Sequence, residues 1–240
     1  MIDLHCHLLP GIDDGPSNLD DALAMAQQAV ADGIHTCVVT PHIHPGRYNN
    51  TRQSIKQATQ QLLVALQAHG IRLRVLPGAE VRISPESLAL LLQDQVPFIG
   101  RYHGCPVVLL ELPHSGIPLG SLQFVQKVIS HHIQPVIAHP ERNKAVMDDP
   151  ERIAPFVQAG CWLQITAGAV TGHFGPQAQA AAAHFISQGD ARWVASDAHN
   201  TSTRPPRLAP ALQHITTQWG EHTAQRLFHT HPQQLLEVHA

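Results

Sequence analysis

Two kinds of hydrophobic run alternate along this chain. Short, β-branched stretches recur, and most are followed by a longer stretch in which apolar residues return every three or four positions. The first pattern is that of buried strands and the second that of amphipathic helices. Read this way, the sequence predicts strands at Ile2–His5, Thr36–Thr40, Leu73–Ala79, Pro106–Leu112, Gln134–Ala138, Cys161–Thr166 and Trp193–Ser196. Helices are expected over Leu19–Asp32, capped by Ser17 or Asn18 and stopped by Gly33, and over Thr51–His69, ending at Gly70. Others are expected after Pro85, over Leu119–His132, Pro150–Ala159 and Pro176–Gln188, and from Arg207 onward. Seven strands alternating with helices, uninterrupted by a linker or low-complexity tract, predict a single α/β domain over residues 1–240. The expected architecture is a distorted (β/α)7 TIM-like barrel. An open doubly wound sheet is the alternative, but no Gly-rich phosphate loop follows the first strand.

The polar residues at the strand ends change what this barrel is expected to do. His5 and His7 end the first strand two residues apart, so both imidazoles face one way. Asp14 follows in Asp13-Asp14-Gly15, His42 follows the second strand, and Glu80, Glu111 and His139 end the third, fourth and fifth. Asp197 and His199 end the seventh. In a parallel barrel these ends converge on one face. Each residue alone has an ordinary structural explanation, but six strands delivering nine such side chains to one mouth is not coincidence. Nine nitrogen and oxygen donors exceed the needs of one ion and fit two or three sharing a bridging carboxylate. Close metal pairs activate water and clamp the oxygens of an in-line displacement at phosphorus. Arg142 and Arg204, placed shortly after His139 and His199, suit the forked recognition of phosphate oxygens.

Composition narrows the field. A formal net charge of -3 and only 14% charged residues leave no basic surplus for nucleic acid and no block for a membrane surface. No signal peptide or membrane-spanning run is read, so a cytoplasmic protein is expected. Cys6, Cys37, Cys105 and Cys161 are scattered and are expected to be buried free thiols. No Cys-x5-Arg loop occurs, so no cysteine is expected to carry phosphate. Of the nineteen histidines, those such as His131, His132, His214, His222, His229, His231 and His239 lack metal spacing and are expected on the surface.

The motifs Asp3-Leu-His5-Cys-His7, Gly11-Ile-Asp-Asp14-Gly15, Thr40-Pro-His42, Gly78-Ala-Glu80, Glu111, His139-Pro-Glu-Arg142-Asn143 and Ser196-Asp197-Ala-His199 with Arg204-Pro-Pro span nearly the whole chain. With them the sequence resembles the polymerase and histidinol phosphatase (PHP) superfamily. More narrowly, it is similar to the bacterial manganese-dependent tyrosine-protein phosphatases of capsule and exopolysaccharide operons. The resemblance implies a PHP-type barrel with a trinuclear centre. One ion would take His5, His7, Glu80 and Asp197; a second would share Glu80 and take Glu111 and His139; a third would take Asp14, His42 and His199. It further implies Mn2+, with Fe, Zn, Co or Mg also compatible with the donors. Metal-activated water would hydrolyse phosphotyrosine on a protein, the expected partner being a capsule-type tyrosine kinase. Arg142, Arg204, Asp197 and His199 are the expected catalytic residues. Histidinol phosphatases usually carry His at the position of Glu111, which favours the tyrosine-phosphatase branch. A small-molecule phosphoesterase of the same superfamily, an amidohydrolase or DNase on a similar barrel, and a His-rich metal-binding protein are the rivals. The loop Ile43–Tyr48 is expected to shape access to the site, without assigned roles for His44 and Arg47.

Overall fold

The short apolar runs form the strands of the computed structural model, which describes residues 1–236. These strands are β1 (Ile2–Cys6), β2 (Thr36–Val39), β3 (His42–His44), β4 (Tyr48–Asn49), β5 (Arg74–Pro77), β6 (Glu80–Arg82), β7 (Gly100–Tyr102), β8 (Cys105–Glu111), β9 (Gln134–Ala138), β10 (Trp162–Thr166) and β11 (Ala191–Ala195). Two of the expected strands are broken. The chain leaves β2 and resumes as β3 after Thr40-Pro41, and it leaves β5 and resumes as β6 after Gly78-Ala79. Pro41 has no N–H to offer a ladder. Gly78 lies so close to its neighbours that a Cβ there would meet Val38 Cγ1 at 2.7 Å and Ile99 Cγ2 at 3.0 Å. The broken strands nevertheless run side by side: β2 pairs with β5 and β3 with β6, all parallel. At the breaks, Gly78 N–H donates to Val39 O at 2.8 Å and Glu80 N–H to Pro41 O at 3.2 Å.

The parallel ladder continues β6–β8–β9–β10–β11. It returns to β1 through a bridge between Cys6 and Ala198, supported by Asp197 N–H to His5 O and His7 N–H to Ala198 O, both at 2.8 Å. With each broken strand counted once, seven parallel strands close a barrel. The two-stranded antiparallel hairpin β3–β4 and the antiparallel strand β7 beside β8 are additions that the hydrophobic pattern does not predict.

Helices Leu19–Ala31, Arg52–Ala68, Pro85–Leu92, Ser121–Ser130, Pro176–Gln188 and Ala209–Trp219 lie at the expected places. Asn18, not Ser17, caps the first, accepting from Asp21 N–H at 2.9 Å. The fourth starts late because Gly120 adopts φ 85° and Leu119 is fully exposed. The larger apolar cluster includes residues of these helices and of the strands. A smaller cluster contains Leu4, Val107, Leu109, Val136, Trp193 and Ala195, with Leu235 and Leu236 from the C-terminal helix His231–Leu236. The alternation that sends Val107 and Leu109, and Trp193 and Ala195, into that cluster reaches Glu111 and Asp197 next on the same side. The interior is therefore apolar along the strands and turns acidic at their C-terminal ends.

Two expectations need correction. Cys6, Cys37 and Cys161 are buried free thiols, but Cys105 opens β8 and is exposed. Among the off-site histidines, His131, His132 and His222 are exposed, whereas His214, His229 and His231 are half-buried. His231 Nδ1 lies 2.7 Å from Arg192 O, so this imidazole is part of the packing. His239 lies outside the described residues.

Candidate metal centre

Four donors meet at the mouth of the barrel. His5 Nε2 lies 3.1 Å from Asp197 Oδ1, 3.3 Å from His7 Nε2 and 3.4 Å from Glu80 Oε2. His7 Nε2 closes the set at 3.3 Å from Glu80 Oε2 and 3.4 Å from Asp197 Oδ1. His5, His7 and Glu80 are fully buried and Asp197 nearly so. A second set joins His7, Asp14, His42 and His199. There Asp14 Oδ1 is 3.3 Å from His42 Nε2 and 3.4 Å from His199 Nε2. The third gathers His42, Glu80 and Glu111. His139 reaches Glu80 Oε1 at 2.8 Å, while Glu111 turns toward Arg82, whose Nε is 3.0 Å from Glu111 Oε2. All nine residues singled out from the sequence thus border one centre. The grouping differs from the expected one in two respects: His7 also joins Asp14, His42 and His199, and Glu111 is gathered with His42 and Glu80 while His139 touches the cluster through Glu80.

The donors are aimed by residues that sequence reasoning passes over. Gln164 Oε1, from the one barrel strand that supplies no metal-type ligand, lies 2.8 Å from His5 Nδ1 and leaves Nε2 to the centre. Asp13 Oδ2 does the same for His7 Nδ1 at 2.7 Å, and also accepts from His42 N–H at 3.1 Å. Asp3 is wholly buried and holds Ser196 through its hydroxyl (2.5 Å) and its N–H (3.0 Å), locking β1 to the turn that carries Asp197. Glu141 Oε1 accepts from Thr166 Oγ1 at 2.6 Å and Thr166 N–H at 2.8 Å. No spacing rule points to Gln164 or Thr166. Asp13 is visible in the sequence but indistinguishable there from Asp14. Two ligand-type residues also hold backbone conformations unusual for side-chain-bearing residues, His139 at φ 33° and Asp197 at φ 52°.

Arg142 Nη1 and Arg204 Nη2 both donate to Asp197 Oδ2, so this carboxylate presents Oδ1 to the histidines and Oδ2 to two guanidinium groups. Arg142 also stacks on Phe174, its guanidinium carbon 4.4 Å from the ring centroid. Arg142, Arg204 and Asp197, with Arg47, Tyr48, Arg82 and Asn143, line a cleft of about 320 Å³.

The charge balance fits a divalent cation. Burial disfavours a protonated His5, yet Glu80 and Asp197 outweigh it and push its pKa up to about 10. Burial is likewise outweighed at His42, by Glu80 and Asp14, and its pKa rises to about 11. Burial, reinforced by Arg142, pushes His139 down to about 4; burial and His7 do the same to His199. Burial and the neighbouring Glu80 raise Glu111 to about 7. The field that draws protons onto His5 and His42 also draws a metal ion. Moreover, Glu80 Oε2, Asp197 Oδ1, Glu111 Oε2, His42 Nδ1 and His199 Nε2 are buried and make no aligned hydrogen bond, although Arg82 stands beside Glu111 Oε2 and His42 Nδ1 beside Glu80 Oε2, each at 3.0 Å. Such orphaned atoms are rare and costly. Five at one place, all nitrogen or carboxylate oxygen, are a donor set for metal. Among the described residues no helix is long and apolar enough to cross a membrane.

Known proteins are similar to this chain in sequence and in fold. The chain is 36% identical over 220 residues to the tyrosine-protein phosphatase YwqE of Bacillus subtilis, covering 92% of this chain and 85% of that one. It is 26% identical over 244 residues to the tyrosine-protein phosphatase CpsB of Streptococcus agalactiae serotype V, covering 100% and 99%. A solved structure from work on YwqE of Bacillus subtilis and CpsB of Streptococcus pneumoniae, called metal-dependent tyrosine phosphatases, superposes with a TM-score of 0.92 at 34% identity, covering 100% of this chain and 96% of that one. The model of the family described as capsular polysaccharide synthesis, CpsB/CapC, matches residues 1–237. The chain belongs to the CpsB/CapC family.

Proposed function

We propose that this protein is a metal-dependent tyrosine-protein phosphatase acting in the control of capsular or exopolysaccharide synthesis. The observation that carries the reading is the convergence of His5, His7, Glu80 and Asp197, each carboxylate within 3.4 Å of both imidazoles, with Arg142 and Arg204 on the far oxygen of Asp197. Relatives named tyrosine-protein phosphatases over nearly the full chain support it. The ligands proposed are His5, His7, Asp14, His42, Glu80, Glu111, His139, Asp197 and His199, for two or three ions. Manganese suits this carboxylate-rich, thiolate-free set; Fe, Zn, Co and Mg are the alternatives that metal analysis separates. Bound there, such ions lower the pKa of water and neutralise charge developing at phosphorus.

The protein's own groups do the rest. Arg142 and Arg204 each use one amino group on Asp197, which fixes both forks in place. A guanidinium has five donors, and the Nε of Arg204 is buried without a partner. The remaining donors hold the phosphoryl oxygens that face away from the ligand cluster. Asp197 links the two halves of the site, so charge drawn by the phosphoryl group is felt at the ligand shell. His199 N–H donates to Arg204 O at 2.9 Å, which keeps the second arginine in register with its ligand neighbour. A tyrosyl oxygen leaves with a conjugate-acid pKa of about 10, so this reaction needs less proton donation than an alkyl ester does. The partner proposed is a phosphotyrosine-bearing protein of the cytoplasm, a capsule-type tyrosine kinase foremost. The test is turnover of a phosphotyrosine peptide by the metal-loaded protein, against the matching phosphoserine peptide and histidinol phosphate. Preference for histidinol phosphate would hand the site to the small-molecule reading.

A further inference from the structure

The ligand cluster and the two arginines can recognise the phosphoryl group of any monoester. Discrimination between an aryl and an alkyl ester must come from the wall just beyond them. Apart from the ligands and the arginines, the cleft is lined by His44, Tyr48, Leu112, His114, Ala138 and Asn143. Tyr48 supplies the only benzenoid ring of this wall among the described residues, and it stands on the β3–β4 hairpin that the hydrophobic pattern does not predict. The hairpin is built to hold it. Tyr48 pairs with His44 across the two strands, Gly46 makes the turn at φ 84°, and Gly46 N–H donates to Asn49 Oδ1 at 2.9 Å. Asn50 Nδ2 then ties the hairpin's base to Ile12 O (2.9 Å) and His42 O (3.0 Å), joining it to the loop that carries Asp13 and Asp14.

The ring of Tyr48 stacks on the imidazole of His42, with planes at 11° and centroids 5.5 Å apart. It therefore lies one aromatic layer outside the ligand shell, at the level a substrate's ring reaches when its phosphoryl group is at the centre. Arg47 holds it there, its guanidinium carbon 4.9 Å from the ring centroid. Tyr48 is only half-buried and lines the cleft, so part of its side chain stays accessible from there. Resting on the phosphatase reading above, we propose that Tyr48 is the specificity-determining residue of this centre, packing against the phenyl ring of an aryl phosphate monoester and giving it preference over alkyl esters.

The experiment compares kcat/KM for a phosphotyrosine peptide and for β-glycerophosphate in the wild-type protein, Tyr48→Ala and Tyr48→Phe. Aromatic pairing of this kind corresponds to about tenfold at most. Tyr48→Ala is expected to lower the aryl-to-alkyl ratio by about that factor, through KM for the peptide. Tyr48→Phe, which keeps the ring, is expected to restore the ratio to within about twofold. Metal content and the inhibition constant of inorganic phosphate should match the wild type in both variants, since neither depends on a substrate ring. A ratio left intact by Tyr48→Ala overturns the inference alone. So does an equal loss on both substrates with reduced metal content, which would make Tyr48 a prop for His42. A wild-type protein that turns over both esters without preferring the aryl one overturns the inference, whereas one that turns over neither when metal-loaded removes the phosphatase reading with it.

Discussion

His7 offers Nε2 to the centre because its other nitrogen is held by Asp13 at 2.7 Å, as Gln164 holds His5 at 2.8 Å. Partners of this kind fix ring orientation and donor strength, and their loss typically costs about 10–100-fold in metal affinity. Asp13→Ala is expected to weaken metal binding by about that factor, read by titrating manganese into chelator-stripped protein. Nothing in the order of residues separates Asp13 from Asp14. Burial does: the Asp13 side chain is 1% exposed and that of Asp14 40%, one against His7 and the other at the rim. The candidate donors were legible in the sequence because metal chemistry restricts donor type to a few residues. Gln164 was not, since an amide in a strand is compatible with many roles.

The arginines carry a second prediction at this scale. Both contact Asp197 Oδ2, but Arg142 is also packed on Phe174 and beside Glu141, whereas Arg204 belongs to the loop after His199. On the proposed reading, the better-supported guanidinium is expected to contribute more to the transition state. Arg142→Ala is expected to lower kcat/KM on a phosphotyrosine peptide by about 10²–10³, comparable with losing an oxyanion donor. Arg204→Ala should do less and act mainly on KM. Near-normal activity of Arg142→Ala at full metal occupancy would remove it from phosphate binding.

At the level of elements, the seven parallel strands were legible because each is a compact apolar run, and the C-terminal ends bear the polar residues as barrel geometry requires. The breaks were not, although Pro41 and Gly78 mark them in the sequence. A proline or glycine beside a strand reads equally well as its end, and only the pairing of β3 with β6 shows that the chain continues past the kink. That kink puts His42 and Glu80 side by side as register partners, which an unbroken strand would not guarantee. Its tightness is testable. A methyl group at position 78 would meet Val38 and Ile99 at 3.0 Å or less. Gly78→Ala is therefore expected to destabilise the fold by about 1–3 kcal/mol, seen as a lower midpoint in urea with unchanged slope. An unchanged midpoint would mean that the β5–β6 junction yields freely.

For the molecule as a whole, the centre proposed to carry the chemistry is also a structural liability. His5, His7, Glu80 and Asp197 join β1, β6 and the end of β11, and Asp197 N–H to His5 O is part of the barrel's closure. Carboxylates and lone pairs concentrated there repel one another and leave five buried atoms without aligned hydrogen bonds. A bound cation relieves both costs, and only the folded chain brings the donors together, so metal should stabilise the fold by mass action. At a hundredfold excess over its dissociation constant, one ion contributes about 2.7 kcal/mol, or roughly 5–10 °C in Tm for a chain of this size. Stripping with chelator should therefore lower Tm by at least that amount, and restoring manganese should recover it. His139→Asn and Asp197→Asn make the sharper comparison, because asparagine tolerates the left-handed backbone of both positions better than alanine does. Both variants should lose turnover and most of the metal-dependent rise in Tm, while their chelator-treated forms unfold near the chelator-treated wild type. Were the wild-type Tm indifferent to chelator in protein shown by elemental analysis to have lost its ions, these nine side chains would not be acting as one metal centre.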